Sequence, residues 1–331
     1  MKNRSSIILA ILALILMLSA FMHIESAYAL PAAKPKKHDF GFTPTPIDKS
    51  IADKGDARAA EHILQVVDAN LSAAPHYSFY SRGGGSAVSS FMDMSGELEY
   101  GIIFLKDNGA MYMQSGAHVT RLSSSAGEKL SNAVKGVIDQ AERHYSPDGK
   151  TFYIQRVKGF KAKTKVFDRF PYSASNFSAS KVEEMTKEEY CRSQCVRKDI
   201  FELSNIVMDA STIDPASVKL DRKDNLYRLS FSINLDDAGI REKATRYARG
   251  FLRSISNSDD LQFKVFKVYM EVYENGLIKK YTREESWGGT LKLGMGFRPD
   301  GVSKSANSFH FTFDPVKCKI KGNGIDTSWI K

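Results

Sequence analysis

The stretch Phe263-Lys-Val-Phe-Lys-Val-Tyr-Met-Glu-Val-Tyr273 decides the fold class. Phe266, Val268, Met270 and Val272 recur at every second position, with Lys267, Tyr269, Glu271 and Tyr273 between them. Side chains of a strand alternate between its two faces, so this spacing predicts a strand with one buried and one wet face, the habit of antiparallel sheets. Glu274-Asn-Gly276 follows directly and supplies the residues of a tight turn.

The same period of two extends outward from this stretch. It runs through Tyr227, Leu229, Phe231, Ile233 and Leu235, through Phe309, Phe311 and Phe313, and through Leu98, Tyr100, Ile102 and Phe104. Turn signals punctuate these runs at Lys106-Asp-Asn-Gly109, Ser146-Pro-Asp-Gly149 and Asp224-Asn225. Elsewhere the apolar period lengthens to that of a helix. The spacing predicts amphipathic helices over 56–71, 126–143 and 237–254, and a shorter one over 187–198. Helices that interrupt runs of strands without regular alternation exclude a doubly wound parallel sheet. The expected class is α+β: a large curved antiparallel sheet, a half-barrel, with amphipathic helices on its concave face, forming a single domain over 56–331.

The start of the chain carries a different signal. Lys2 and Arg4 precede an uncharged apolar run from Ile7 to Met22, and Ala27-Tyr28-Ala29 offers the small-x-small pattern of a cleavage site. Residues 1–29 therefore read as a signal peptide cut after Ala29, and the folded part is expected outside the cytoplasm. The alternative is a retained N-terminal anchor, for which the run is short. Residues 30–55 hold Pro31, Pro35, Pro44 and Pro46 with Lys34, Lys36 and Lys37, and are expected to form an extended tether. The net charge is +9, and removing Lys2, Arg4 and Glu25 lowers it to +8. Such a balance suits anionic envelope polymers or lipid head groups. Nucleic acid is not an expected partner, because the basic residues are scattered and no basic-aromatic recognition motif is present.

Few residues announce chemistry. Cys191 and Cys195 stand four apart, on one face of the predicted short helix, and Cys318 makes the number odd. A disulfide is permitted outside the cytoplasm, and its pairing among the three stays open. A zinc site lacks two further ligands nearby. The histidines show no metal spacing; His62 and His310 are expected to face water. Ser178-Ala-Ser-Lys181 matches the S-x-x-K of serine acyl-transferases, but no K-T-G follows it. Gly83-Gly-Gly-Ser86 lacks the ending of a phosphate loop. No cofactor is implied.

In element order and alternation the chain resembles the LolA/LppX-like superfamily of exported lipoprotein and lipid carriers. The matching features are the helix 56–71 leading into Tyr77-Ser-Phe-Tyr80, then Gly96-Glu-Leu-Glu-Tyr100 and Ala110-Met-Tyr-Met-Gln-Ser115. In the second half they are Val218-Lys-Leu220, the strand 225–234 with the helix after it, and Val268–Lys279. The resemblance implies a half-closed barrel with an apolar cavity beneath its helices. It transfers no residue's role, and the chain lacks the lipid-attachment cysteine of the lipoprotein members. Phe104, Phe231, Ile233, Phe266, Val268 and Met270 are the candidate cavity lining. The expected function is non-enzymatic binding of a lipid or acylated peptide. The alternatives are a structural protein adhering to anionic cell-wall polymers and a hydrolase using Ser178 and Lys181.

Overall fold

The computed structural model describes residues 41–89, 93–129, 131–132, 135, 139–158, 177, 180–193, 208–244, 262–290, 300–315, 318 and 327–330. Among them, one antiparallel sheet of eleven strands dominates, in the order β6-β5-β4-β3-β2-β1-β11-β10-β9-β8-β7. The strands are β1 His76–Ser89, β2 Asp93–Asp107, β3 Ala110–Ser124, β4 Gln140–Ser146, β5 Thr151–Lys158, β6 Val182–Thr186, β7 Lys219–Lys223, β8 Leu226–Ser232, β9 Gln262–Tyr273, β10 Ile278–Thr290 and β11 Asp300–Thr312. The protein is thus mostly β. Few helices accompany the sheet: α1 Lys49–Ala52, α2 Ala57–Ala73 and α3 Lys187–Ser193, with residues 238–244 also helical.

Two meanders meet at the sheet's centre. The first runs outward from β1 to the edge at β6. The second starts at the opposite edge, β7, and returns inward to β11, which pairs with β1 from Ser78↔Thr312 to Ser89↔Gly301. Two of the hairpins turn where the dipeptides predict. Asn108 and Gly109 both take positive φ, as do Asp224 and Asn225, the backbone of a turn that matches strand twist. The two edges carry Glu183 and Glu184 on β6 and Lys219, Asp221, Arg222 and Lys223 on β7. Charged edges discourage pairing with another chain.

The helix α2 begins where Asp56 accepts a hydrogen bond from Ala59 N at 2.8 Å. It ends at Ala74, which is extended because Pro75 follows. Its apolar stripe, Ile63, Leu64, Val67 and Leu71, is buried in one cluster with Leu229, Phe231, Phe266, Val268, Met270 and Val272. These strand residues come from the predicted alternation of β8 and β9. A bulge between Ser286 and Trp287 resets the register, so Phe263 also turns inward.

Two expectations are corrected. The helix expected over 126–143 does not reach its end: Gln140–Ser146 is β4, held between β3 and β5. The apolar residues of that segment fit a helical period, but two ladders of backbone hydrogen bonds outweigh that preference. Asp139 closes the segment before β4, its carboxylate accepting Val119 N at 2.7 Å. The segment expected as a tether is folded from about Thr45 onward. Asn70 on α2 clamps Thr45 at both its N–H and its C=O (2.8 and 2.9 Å), and Ile47 N donates to Glu274 O. The expected helix over 237–254 is helical at 238–244, and its remainder lies outside the described residues.

Gly276, in the β9–β10 turn, sits at the meeting point of these parts with φ +80°. A Cβ there would lie 2.2 Å from Thr45 O and 2.4 Å from Asn70 Nδ2. Gly276→Ala combines a left-handed backbone with a clash, and is expected to cost about 2–4 kcal/mol. Urea denaturation of the purified protein would show the loss; a change under 0.5 kcal/mol would contradict this packing.

Candidate ligand-binding face

The pairing registers place a defined set of side chains on the face that α2 covers. Across the centre of the sheet, Phe79 on β1 stands beside Ile102 on β2 and Phe311 on β11. Tyr77 stands beside Phe104, which faces Met113 on β3. Ser81 stands between Tyr100 and Phe309, and Phe309 faces Tyr281 on β10. The rings touch: Phe79 lies 5.0 Å from Phe311 and 5.4 Å from Phe309, Tyr77 5.1 Å from Phe104, and Tyr281 5.8 Å from Phe309. Such separations are those of favourable aromatic pairs.

The six expected lining residues do not all sit in this band. Phe104, Phe231, Ile233, Phe266, Val268 and Met270 are each at most 4% exposed and belong to the core cluster that α2 seals. The residues of the same face that retain exposure include Phe79, Tyr100, Ile102, Met111, Met113, Phe309 and Phe311, all half-buried. Alternation marked Ile102, Phe309 and Phe311 as facing one side. It carried no information on how far the helix reaches, which divides sealed core from accessible floor.

Polar side chains interrupt this apolar face in two places. On β4 and β5, the buried His144 ring contacts the Glu142 carboxylate at 2.9 Å through Nε2 and the Tyr190 hydroxyl of α3 at 3.0 Å through Nδ1. Arg156 Nε donates to Glu142 at 2.9 Å and its Nη1 to Glu183 at 3.0 Å. Burial alone would raise the Glu142 carboxyl, but His144 and Arg156 outweigh it and hold the group below its ordinary 4.5. The order carboxylate, imidazole, hydroxyl is that of a proton relay. Tyr190 is fully buried and stacks on Phe152 at 4.1 Å, so here the network fastens α3 to the sheet. On β10, Arg283 Nε lies 2.8 Å from Glu285 Oε1.

The remaining candidates are dispersed. Cys318 is a buried free thiol, its Sγ 3.5 Å from Thr312 O, and burial pushes it up to about 11. Cys191 lies in α3; Cys195 and Ser178 lie outside the described residues. Lys181 lines an open recess of about 550 Å³ beside β6, with Glu183, Glu184 and Glu189. His310 is half-buried on the opposite face of the sheet, stacked on Tyr80 at 4.9 Å. His62 Nε2 accepts Asp48 N at 3.0 Å. Among the described residues no group of three or more His, Cys, Asp and Glu is placed to hold a metal, and no helix is long and apolar enough to cross a membrane.

The class this fold defines is a β-rich protein built on one wide antiparallel sheet. No family model and no curated protein matches the chain. Among solved structures it is similar to a DUF1329 family protein from Desulfovibrio piger, at 9% identity over 78% of this chain and 92% of that one, with a TM-score of 0.20. It is also similar to the translocator domain of the autotransporter NalP from Neisseria meningitidis, at 7% identity over 81% and 99%, with a TM-score of 0.19. Superposition this loose carries no functional argument.

Two tests bear on the β4–β5 network. Tyr190→Phe strands a buried imidazole nitrogen and should cost about 1–3 kcal/mol in urea denaturation; a neutral result would show that α3 is held otherwise. Because the folded-state pKa of Glu142 is depressed, its stabilising contribution is complete above the ordinary 4.5 and disappears as pH falls through the lower, folded value. Stability of the wild type should therefore drop more steeply than that of Glu142→Gln as pH is lowered below that ordinary value, measured by urea midpoints at each pH. Parallel curves would contradict this.

Proposed function

We propose that the chain is an exported, non-enzymatic protein that holds a hydrophobic or amphipathic ligand, a lipid or an acylated peptide, against the central apolar face of its sheet. The observation that carries this is the band of half-buried aromatic, Ile and Met side chains, Phe79, Ile102, Met111, Met113, Phe309 and Phe311, continuous with the sealed core. Contiguous apolar surface that a protein leaves within reach of solvent is a common mark of a binding site. Covering about 200 Å² of it would contribute about 5 kcal/mol before the cost of association. The signal-like N-terminus and the resemblance in element order to the LolA/LppX-like carriers support the same reading, as does the basic balance of the chain.

A second reading, adhesion to anionic envelope polymer, draws on the opposite face. There Lys280 Nζ stands 5.5 Å from the Tyr269 ring, near the Tyr80–His310 stack. Salt-sensitive retention on isolated cell walls would favour it over the carrier.

The carrier predicts that organic extraction of the purified mature protein yields lipid, and that a fluorescent fatty acid binds it. Phe309→Ser with Ile102→Gln should weaken that binding at least tenfold, a loss of about 1.4 kcal/mol, with the far-ultraviolet circular dichroism unchanged. Absence of extracted lipid together with absence of fatty-acid binding would remove the proposal.

A further inference from the structure

The wet face of β8 to β11 lies opposite the ligand-binding face and is built in rows. Ser230 pairs across to Tyr269, Tyr269 to Thr282 and Thr282 to Ser308, so one line of hydroxyls crosses four strands. At the strand spacing of a sheet this line is about 14 Å long. All four residues are half-buried, and Thr282 Oγ1 stands 2.9 Å from Ser308 Oγ. A hydroxyl both donates and accepts, so one such contact leaves capacity for another partner.

Lysines flank the line on both sides. Lys267 stands two residues before Tyr269 on β9, Lys280 two before Thr282 on β10, and Lys304 four before Ser308 on β11. Most carboxylates near them are taken. Glu271 meets Lys279 at 2.8 Å and the Tyr269 hydroxyl at 2.9 Å, and Asp221 meets Arg228 at 3.6 Å. At the β1 end of the line, Arg82 is matched by Glu97 and Glu99 at 3.8 and 4.0 Å. Among the described residues, Glu284, beside Lys267 in the register, is the carboxylate that remains next to the three ammonium groups. A neighbour registers the excess: burial and then Lys280 hold the His310 imidazole below its ordinary 6.5. Cations on either side of a hydroxyl line complement a chain that carries acidic groups among hydroxyls.

We propose that this face docks an acidic polysaccharide, its acidic groups held by Lys267, Lys280 and Lys304 and its hydroxyls by the Tyr269–Thr282–Ser308 line. The inference rests on the second reading above, adhesion to anionic envelope polymer, and gives that reading a site and a polymer class. A bilayer is the poorer match. Binding at a bilayer surface draws on buried apolar area as well as charge. The exposed large hydrophobics among the described residues are Val88 and Val302, a cross-strand pair about 20 Å along β11 from Ser308. A membrane on this face would also hold the ligand-binding face away from it.

Biolayer interferometry of the mature chain on immobilised alginate, polyglutamate and neutral dextran, without divalent cations, tests this. Alginate should bind about tenfold more tightly than polyglutamate or dextran, and less tightly as salt is raised. Lys267→Gln with Lys280→Gln should weaken alginate binding about tenfold, with the far-ultraviolet circular dichroism unchanged. Thr282→Val with Ser308→Ala should abolish the preference for alginate over polyglutamate while both still bind. Alginate binding that survives the double lysine substitution would overturn the site, and equal binding of alginate and polyglutamate by the wild type would overturn the polymer class. In both cases retention on isolated cell walls would leave the adhesion reading standing. Sedimentation with phosphatidylglycerol vesicles, in place of alginate binding and lost on the same lysine substitutions, would give the face to a membrane and overturn the proposal. Retention on neither alginate nor cell walls would remove the adhesion reading, and this inference with it.

Discussion

The pairing of β1 with β11 is the constraint on which the rest of the structure depends. Every other ladder of the sheet joins strands consecutive in sequence. This one joins residues 78–89 to residues 301–312 in a continuous register. It turns two meanders into one surface, and it alone brings Phe79 beside Phe309 and Phe311. Closing so long a loop is entropically expensive, though the cost grows only slowly with length. Twelve paired positions and the aromatic contacts across the seam offset it.

Glycine makes that seam possible at one point. Asn307 leans over β1 where Gly83 leaves room for it, and any Cβ would collide with its amide oxygen. The face around the seam then grades from rings to small and polar side chains along the strands. Tyr77, Phe79 and Ser81 give way to Gly83 and Gly85 on β1, while Phe309 gives way to Asn307 and Ser305 on β11. An amphipathic face of this kind suits a ligand with a greasy part and a polar part. A uniformly apolar one would simply be core.

Two polar groups punctuate the same face. Around Glu142, the His144 imidazole and the Arg156 guanidinium satisfy the carboxylate, the imidazole also meets the Tyr190 hydroxyl, and α3 is fastened as a result. Around Glu285, Arg283 is the counter-charge at 2.8 Å, and burial works against ionisation of the carboxyl. Buried polar networks rigidify when complete and are costly when incomplete.

Much of the architecture was legible in the residues themselves. Alternation in 263–273 and 226–233, the Asn-Gly and Asp-Asn turns, and the capped stripe of α2 are local features, set by φ/ψ preference and by the spacing of apolar side chains. They are enough to predict antiparallel strands and their inward faces. Residues 140–143 continue the helical period of the expected helix 126–143, and only the neighbours β3 and β5 make them strand. Phe263 was placed by a bulge that depends on its partner strand. The division of one apolar face into the part sealed by α2 and the part left open, and the inward placement of Arg283 and Glu285 beside Asn307, depend on contacts between residues far apart in the chain. No local pattern encodes these, because register and coverage belong to pairs of elements; tertiary packing alone decided them.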